Sequence, residues 1–152
     1  MKVVAIEEHF WTPELMLKGD AYHKEYWYKG LGDLGELRLS QMDEAGIDLQ
    51  VISHAPPAAQ NFAPADSIAA TRRANDALHE AVLTHPTRFA GFAMLPTPDP
   101  KAAAEELERT VTQYGFKGAM IHGLTHGAFC DEKRFWPIFE RAQALDVPIY
   151  IH

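Results

Sequence analysis

Residues 3–10 alternate in a way that predicts a strand buried on both sides. At a spacing of two, this stretch divides into two faces, and each face begins with apolar side chains. Burial on both faces is typical of a parallel strand that is covered by helices. Polar residues follow at the carboxyl end of the strand, where Glu7 and His9 share one face. In α/β sheets and β/α barrels, this end of the strands carries the chemistry.

Glu7 and His9 are therefore candidate metal ligands. A carboxylate oxygen and an imidazole nitrogen that point the same way suit zinc, manganese or iron. The pair alone does not separate a metal site from two polar residues that happen to end a strand. The metal site gains support because His152 ends another predicted strand of the same kind. A hydrogen-bond network at the mouth of a barrel is the alternative for all three residues.

The rest of the chain alternates predicted helices and strands. Apolar residues at helical spacing predict helices, and short apolar runs that end at Gly or Pro predict strands. The helices are predicted at 37–45, 66–84, 100–114 and 135–145, and the strands that follow them at 47–54, 88–95, 116–124 and 147–152. Asp66 or Ser67 is the expected N-cap of the second helix, and Asp99 that of the third. This order predicts a parallel sheet with right-handed crossovers.

The fold class that we predict is a (β/α)8 barrel of the metal-dependent hydrolase type. A closed barrel takes about 250 residues, whereas this chain has 152. A chain seldom stops on a buried strand without a polar tail. We therefore expect residues 1–152 to be the N-terminal part of one barrel domain, with about its first five strands and four helices. The alternative is a complete, five-stranded, doubly wound domain.

A long aromatic segment at about 11–35 separates the first strand from the first helix. It holds Tyr22, Tyr26, Trp27 and Tyr28 among several glycines. Long connections in compact domains usually carry function, as lids or binding loops do. We expect a lid-like insertion here. A loop that only packs its own aromatic side chains is the alternative, and the two are compatible.

Composition and charge narrow the class of protein. The chain is 47% apolar and 23% charged, as in soluble globular proteins. Its net charge of −7 argues against nucleic acid or an anionic membrane as a partner, and no apolar run approaches the roughly 20 residues that span a bilayer. A single cysteine, Cys130, fits a reducing compartment. The start of the chain does not resemble a signal peptide, so the expected location is the cytoplasm.

The residues at 5–10 (AIEEHF) resemble the opening of the metal-dependent decarboxylases related to amidohydrolases. That group includes the γ-resorcylate (2,6-dihydroxybenzoate), 2,3-dihydroxybenzoate and aminocarboxymuconate semialdehyde decarboxylases. Similar stretches follow at 73–76, 86–89, 93–96 and 147–152. The resemblance covers the whole chain but only about the N-terminal half of such an enzyme. The larger superfamily usually has His-x-His on its first strand, so glutamate at position 7 favours the decarboxylase branch.

The resemblance implies a carboxy-lyase that binds one divalent metal ion, zinc or manganese, through Glu7, His9 and His152. Its substrate would be a small, hydroxylated aromatic carboxylic acid such as a dihydroxybenzoate, which loses CO2 without oxidation. The metal would hold the carboxylate and an adjacent hydroxyl, and a protonated acid would deliver a proton to the ring carbon. Alternatives are a metal-dependent hydrolase or hydratase on the same scaffold, or an inactive fragment that serves as a binding module.

The catalytic acid cannot be assigned in this sequence. The family places a histidine after strand six and an aspartate, which is both a metal ligand and the proton donor, after strand eight. Both positions lie beyond His152, so residues 1–152 alone are expected to be inactive. The resemblance also suggests a homo-oligomer, either a dimer or a tetramer.

Two residues are predicted to contact the substrate. Tyr22 lies in the lid-like segment, where related enzymes place an aromatic side chain against the substrate ring; packing within the loop is the alternative. His122 faces inward if Ala119 and Ile121 face the helices, and it then either contacts the substrate or is a buried histidine with satisfied hydrogen bonds. His54, at the end of the second predicted strand and just before Ala55-Pro56, is a similar but weaker candidate.

Overall fold

The computed structural model describes residues 1–15 and 30–152. Within these ranges, four α-helices alternate with six strand segments. The helices are α1 (Glu36–Ala45), α2 (Pro64–Thr84), α3 (Pro100–Tyr114) and α4 (Trp136–Ala144). The strands are β1 (Val4–Phe10), β2 (Leu49–His54), β3 (Phe89–Gly91), β4 (Ala93–Met94), β5 (Ala119–Ile121) and β6 (Ile149–Ile151). Short 3-10 helices lie at Pro13–Leu15 and Lys133–Phe135.

Every strand pair among the described residues is parallel, as the sequence predicts. One sheet has the order β1-β2-β3 and the other β4-β5-β6. The prediction of a single strand at 88–95 is wrong in this respect, because the structure has two strands there, β3 and β4. The first half of this stretch pairs with β2 and its second half with β5, as the staggered strands of a barrel require. Phe92, between the halves, still donates its N–H to the Ile52 carbonyl at 2.9 Å.

The strands carry one apolar cluster on each face. The larger cluster lies between strands and helices and joins Ile52 and Ile121 to helix residues such as Leu107. The smaller cluster is made of strand residues and lies on the face away from the helices: Val51, Ala90, Phe92 and Met120, with Leu49 and Tyr150 packed against it. Two buried faces of this kind are the arrangement of a β/α barrel wall, with the smaller cluster on the inside.

β1 and β6 are the first and last strands of the described wall, and several of their apolar residues are exposed. Val4 is 51% exposed and Ile6 50% on β1, and Ile151 is 57% exposed on β6. The prediction that the first strand is buried on both faces is therefore wrong for this part of it. The reason is that each outer strand is paired on one side only in the described residues.

Local signals set most helix ends. The Asp99 side chain accepts a hydrogen bond from the Ala102 N–H at 3.0 Å and caps α3, as predicted. Gly115 then ends α3 in the left-handed conformation at φ 70°, which glycine adopts without strain. The predicted cap of α2 by Asp66 or Ser67 is wrong, because that helix already begins at Pro64, whose fixed φ suits a first turn. No helix in the described ranges is long and apolar enough to span a membrane.

A buried amide joins two helices to the strand wall. Asn75 on α2 donates to the Met94 carbonyl at 3.0 Å and accepts from the Met94 N–H at 2.9 Å, so it replaces a neighbouring strand at that position. The same amide donates to Glu106 on α3 at 2.8 Å. Arg109 completes the network with two hydrogen bonds to the Glu106 carboxylate, which is 3% exposed. Because every buried polar group here is paired, the network fixes β4 without an unsatisfied charge.

Candidate metal centre

The structure brings Glu7, His9 and His152 together at the carboxyl ends of β1 and β6. One potential ligand atom from each of the three lies within 4.8 Å of the other two. The His152 Nε2 atom is 3.4 Å from the Glu7 Oε1 atom, and the rings of His9 and His152 have centroids 5.2 Å apart. Two donors that each lie about 2.1 Å from one ion are at most about 4.2 Å apart. The Glu7–His152 spacing and the mixed oxygen and nitrogen donors therefore fit a single divalent ion.

A β-bulge in β1 positions Glu7. Ala5 pairs with Gln50 and Glu8 pairs with Ile52, so β1 has one more residue than β2 over this interval. Bulges often occur beside active sites, where they change the direction of a side chain. A strict spacing of two therefore does not hold along the whole of β1. The prediction that Glu7 and His9 share one face nevertheless agrees with the structure, because both lie in one cluster while Phe10 packs in the helix-side core.

Hydrogen bonds around Ser53 favour the Nδ1–H tautomer of His9. The Ser53 hydroxyl lies 3.1 Å from His9 Nδ1, 3.4 Å from the Glu8 carbonyl and 3.1 Å from the Met120 sulfur. The carbonyl and the sulfur can only accept, so a hydroxyl that donates to either of them accepts from His9 Nδ1–H. This leaves the lone pair of His9 on Nε2, where a metal ion could bind it. A hydrogen bond from the other ring nitrogen is the usual support of a histidine ligand.

The surroundings keep two of the three candidate ligands free of competing protons. The hydrogen bond from Tyr150 is the largest cause that lowers the pKa of Glu7, and nearby His152 and His9 act in the same direction. Burial lowers the pKa of His9, and the neighbouring His152 lowers it further. Glu7 is therefore a carboxylate and His9 a neutral imidazole at neutral pH. These are the forms that bind metal ions.

His122 lies beside the three candidate ligands on the inner face of the wall, as predicted. Its ring centroid is 5.0 Å from that of His152 and 5.8 Å from that of His9. Its Nε2–H donates to the His54 carbonyl at 2.8 Å, and its Nδ1 is buried without a hydrogen-bond partner in the described residues. Burial lowers its pKa to about 4, so the ring is neutral. Nδ1 therefore carries a lone pair.

His54, the weaker candidate, has a structural role. Its ring contacts Phe10 in the helix-side core at a centroid distance of 5.2 Å, away from the cluster. Its Nδ1–H donates to the Ala55 carbonyl at 2.8 Å and its Nε2 accepts from the Thr12 N–H at 3.2 Å, so both ring nitrogens are used. The other predicted substrate contact, Tyr22, lies outside the described residues.

Three further residues position the site and were not predicted from the sequence. Arg38 is 6% exposed and donates to the His9 carbonyl at 2.7 Å, and Gln60 accepts from the His122 N–H at 2.6 Å. Tyr150 donates to Glu7. Two signals were present in the sequence: Arg38 lies four residues before the core residue Met42, and Tyr150 lies two before His152 on the same strand face. Gln60 lies in a loop without periodicity and gave no signal.

The chain belongs to the amidohydrolase family. The family model described as "Amidohydrolase" matches residues 6–152. The match begins on β1 just before Glu7 and continues through His152, so it includes all three candidate ligands. This agrees with the predicted barrel of the metal-dependent hydrolase type and with the structure of its first strands and helices.

Several similar proteins are named as decarboxylases of aromatic acids. The chain is 41% identical over 160 residues to gamma-resorcylate decarboxylase of Polaromonas sp.. That alignment covers 98% of this chain and 49% of the relative. Its structure is similar to that of a Polaromonas sp. dihydroxybenzoic acid decarboxylase with bound manganese and the inhibitor 2-nitroresorcinol. The TM-score is 0.91 at 40% identity, and the match covers 100% of this chain and 49% of that one. Its structure is also similar to that of a Novosphingobium aromaticivorans 5-carboxyvanillate decarboxylase complexed with manganese and a nitrobenzoic acid. Here the TM-score is 0.92 at 30% identity, and the match covers 99% of this chain and 50% of that one. The chain spans about half the length of these relatives.

Proposed function

We propose that residues 1–152 form the N-terminal part of a metal-dependent decarboxylase that acts on a hydroxylated aromatic carboxylic acid. The observation that carries this proposal is the cluster of Glu7, His9 and His152, whose donor atoms meet at the carboxyl ends of β1 and β6. The relatives support the reaction class, since three of them act on or bind aromatic acids or phenols with a carboxyl or nitro group.

Glu7, His9 and His152 would hold one divalent ion. When bound, the ion would orient the substrate carboxylate and its neighbouring hydroxyl and offset their negative charge. Manganese is the ion that the relatives' structures favour, and zinc accepts the same donors. Arg38 and Ser53 would keep His9 in place through its carbonyl and its Nδ1–H. Because Glu7 would act as a ligand, the proton for the ring carbon would come from an acid outside residues 1–152.

His122 and Tyr22 are the proposed substrate contacts. The only lone pair on the His122 ring is at Nδ1, since Nε2–H is committed to the His54 carbonyl. Nδ1 would accept a hydrogen bond from a ring hydroxyl and would repel a carboxylate oxygen. His122 would therefore favour substrates with a hydroxyl beside the carboxyl group. Tyr22 would contact the substrate ring from the segment at about 11–35.

That segment is proposed to cover the site as a lid. Its described ends are attached at the mouth of the barrel wall, where the Trp11 N–H donates to the Leu31 carbonyl at 3.0 Å and Arg38 donates to the Gly30 carbonyl at 3.4 Å. Both attachments place the start and end of the segment beside His9.

We also propose a cytoplasmic location and a homo-oligomeric state, either a dimer or a tetramer. The location rests on the single cysteine, which fits a reducing compartment. Light scattering of the whole protein tests the oligomeric state.

The direct test is a decarboxylation assay on the whole protein. We expect the protein loaded with Mn²⁺ to release CO2 from 2,6-dihydroxybenzoate and to lose this activity after chelation, with recovery when Mn²⁺ is restored. The 5-carboxyvanillate reaction is assayed in parallel to define the substrate. Hydrolysis of esters or lactones, or hydration of an unsaturated acid, without CO2 release would instead support the hydrolase or hydratase alternative.

A second prediction concerns His122. In His122→Leu, we expect the KM for 2,6-dihydroxybenzoate to rise roughly 2- to 10-fold, the cost of one neutral hydrogen bond. Competitive inhibition by benzoate, which has no ring hydroxyl, should change little. His85→Leu is the matched control, because His85 lies at the opposite end of the wall, before β3. Equal losses for the hydroxylated and the plain acid would show that His122 is structural and does not recognise the hydroxyl.

A further inference from the structure

Tyr150 and Glu7 join the two outer strands of the described wall. Tyr150 lies on β6, two residues before His152, and Glu7 lies on β1, two residues before His9. The Tyr150 hydroxyl donates a hydrogen bond to Glu7 Oε2. The other oxygen, Oε1, faces His152 Nε2 at 3.4 Å. The two carboxylate oxygens thus have different neighbours, one a phenol and the other a candidate ligand.

Packing holds the Tyr150 ring independently of the site. The ring packs against the inner cluster of Val51, Ala90, Phe92 and Met120, and its centroid is 6.4 Å from that of Phe92. Because these neighbours belong to the wall itself, they determine where the hydroxyl can reach. The ring contacts therefore limit the positions from which the hydroxyl can donate to Glu7.

We propose that Tyr150 is a positioning residue that makes Glu7 a one-oxygen metal ligand. With Oε2 engaged by the phenol, Oε1 is the oxygen directed to the side of His152, where the metal would bind. A hydrogen bond to a carboxylate is stronger than one between neutral groups, so it limits the rotation of Glu7. This inference rests on the proposed metal site and adds the reason for the orientation of Glu7, the carboxylate of the described cluster.

The test is metal binding by Tyr150→Phe in the whole protein. The variant keeps the ring and its packing but removes the donor, so we expect the Kd for Mn²⁺, measured by calorimetry, to rise by about 10- to 100-fold, as when the hydrogen-bond partner of a ligand is lost. The melting temperature of the metal-free protein should stay close to that of the wild type. Tyr114→Phe is the matched control, because it removes another phenol–carboxylate hydrogen bond, to Asp76 at 2.7 Å, far from the site.

A second background tests whether Tyr150 acts through Glu7. Glu7→Asp keeps the carboxylate but withdraws it by one methylene from the hydroxyl. Adding Tyr150→Phe to Glu7→Asp should then change the Kd less than 3-fold. An unchanged Kd for Tyr150→Phe in a wild-type background that binds Mn²⁺ would overturn this inference alone. Absence of Mn²⁺ binding by the wild-type protein would instead overturn the proposed metal site.

Discussion

Replacing Glu7 and His9 together with alanine will leave the whole protein without stoichiometric metal. The double substitution removes the only carboxylate and one imidazole from the cluster, so His152 remains as its single donor. Loss of a residue that hydrogen-bonds a metal ligand already lowers metal affinity by about 10- to 100-fold. Loss of two ligands themselves should lower the affinity by more than that. Mass spectrometry of the metal content after dialysis against Mn²⁺ measures the effect.

Glu8→Ala is the matched control for this result. Glu8 is the neighbouring carboxylate on the same strand, but its side chain is not part of the cluster; its carbonyl is the group near Ser53. We expect Glu8→Ala to retain close to one equivalent of metal. Circular dichroism of both variants confirms that the fold is intact. One equivalent of Mn²⁺ in a folded Glu7→Ala, His9→Ala variant would exclude these residues as ligands.

Features that depend on neighbours in sequence could be predicted. The helices predicted to end at 45 and 114 do end there, and Gly46 and Gly115 follow them in the left-handed conformation, at φ 68° and 70°. Leu78 on α2 and Leu107 on α3, which lie at helical spacing on the inner faces, are fully buried. Alternation also gave the inward direction of His122. These features need only the helix and strand periods, which are local properties of the chain.

Features that depend on distant partners could not be predicted. The bulge in β1 and the division of 88–95 into β3 and β4 arise from pairing with other strands, which the sequence of one strand does not specify. The buried guanidinium of Arg38 reaches the His9 carbonyl from 29 positions away, and Tyr150 reaches Glu7 from 143 positions away. A candidate ligand is thus recognisable by its residue type at a strand end, whereas its support is visible only in three dimensions.

The family could be recognised because the ligand residues and the strand ends coincide. Glu7 and His9 end the first strand, His152 ends the last described strand, and the resemblance to decarboxylases rests on these same stretches. The amidohydrolase match and the manganese-containing relatives confirm that resemblance. The assignment of the three residues as ligands remains a prediction, which the double substitution tests.

Residues 1–152, expressed alone, will not decarboxylate 2,6-dihydroxybenzoate. The cluster offers three protein donors, and its only carboxylate is a proposed ligand, so no group in it is free to protonate the ring carbon. In the part of the chain that the structure describes, β1 and β6 also have one unpaired edge each, with exposed Val4, Ile6 and Ile151. Exposed apolar edges of this kind promote association between copies. We therefore expect oligomers or aggregates with weak metal binding.

Three measurements on the isolated residues 1–152 test this expectation together: mass by light scattering, metal content, and CO2 release in comparison with the whole protein. CO2 release at the level of the buffer blank is expected even at saturating Mn²⁺. The His122→Leu form of the same chain is a suitable control, since a trace activity from this site should change with it, whereas activity from a contaminating enzyme should not. A folded monomer that releases CO2 at a rate near that of the whole protein would show that the proton donor lies within residues 1–152. Glu8, on β1 next to both proposed ligands, would then be the first carboxyl group to examine.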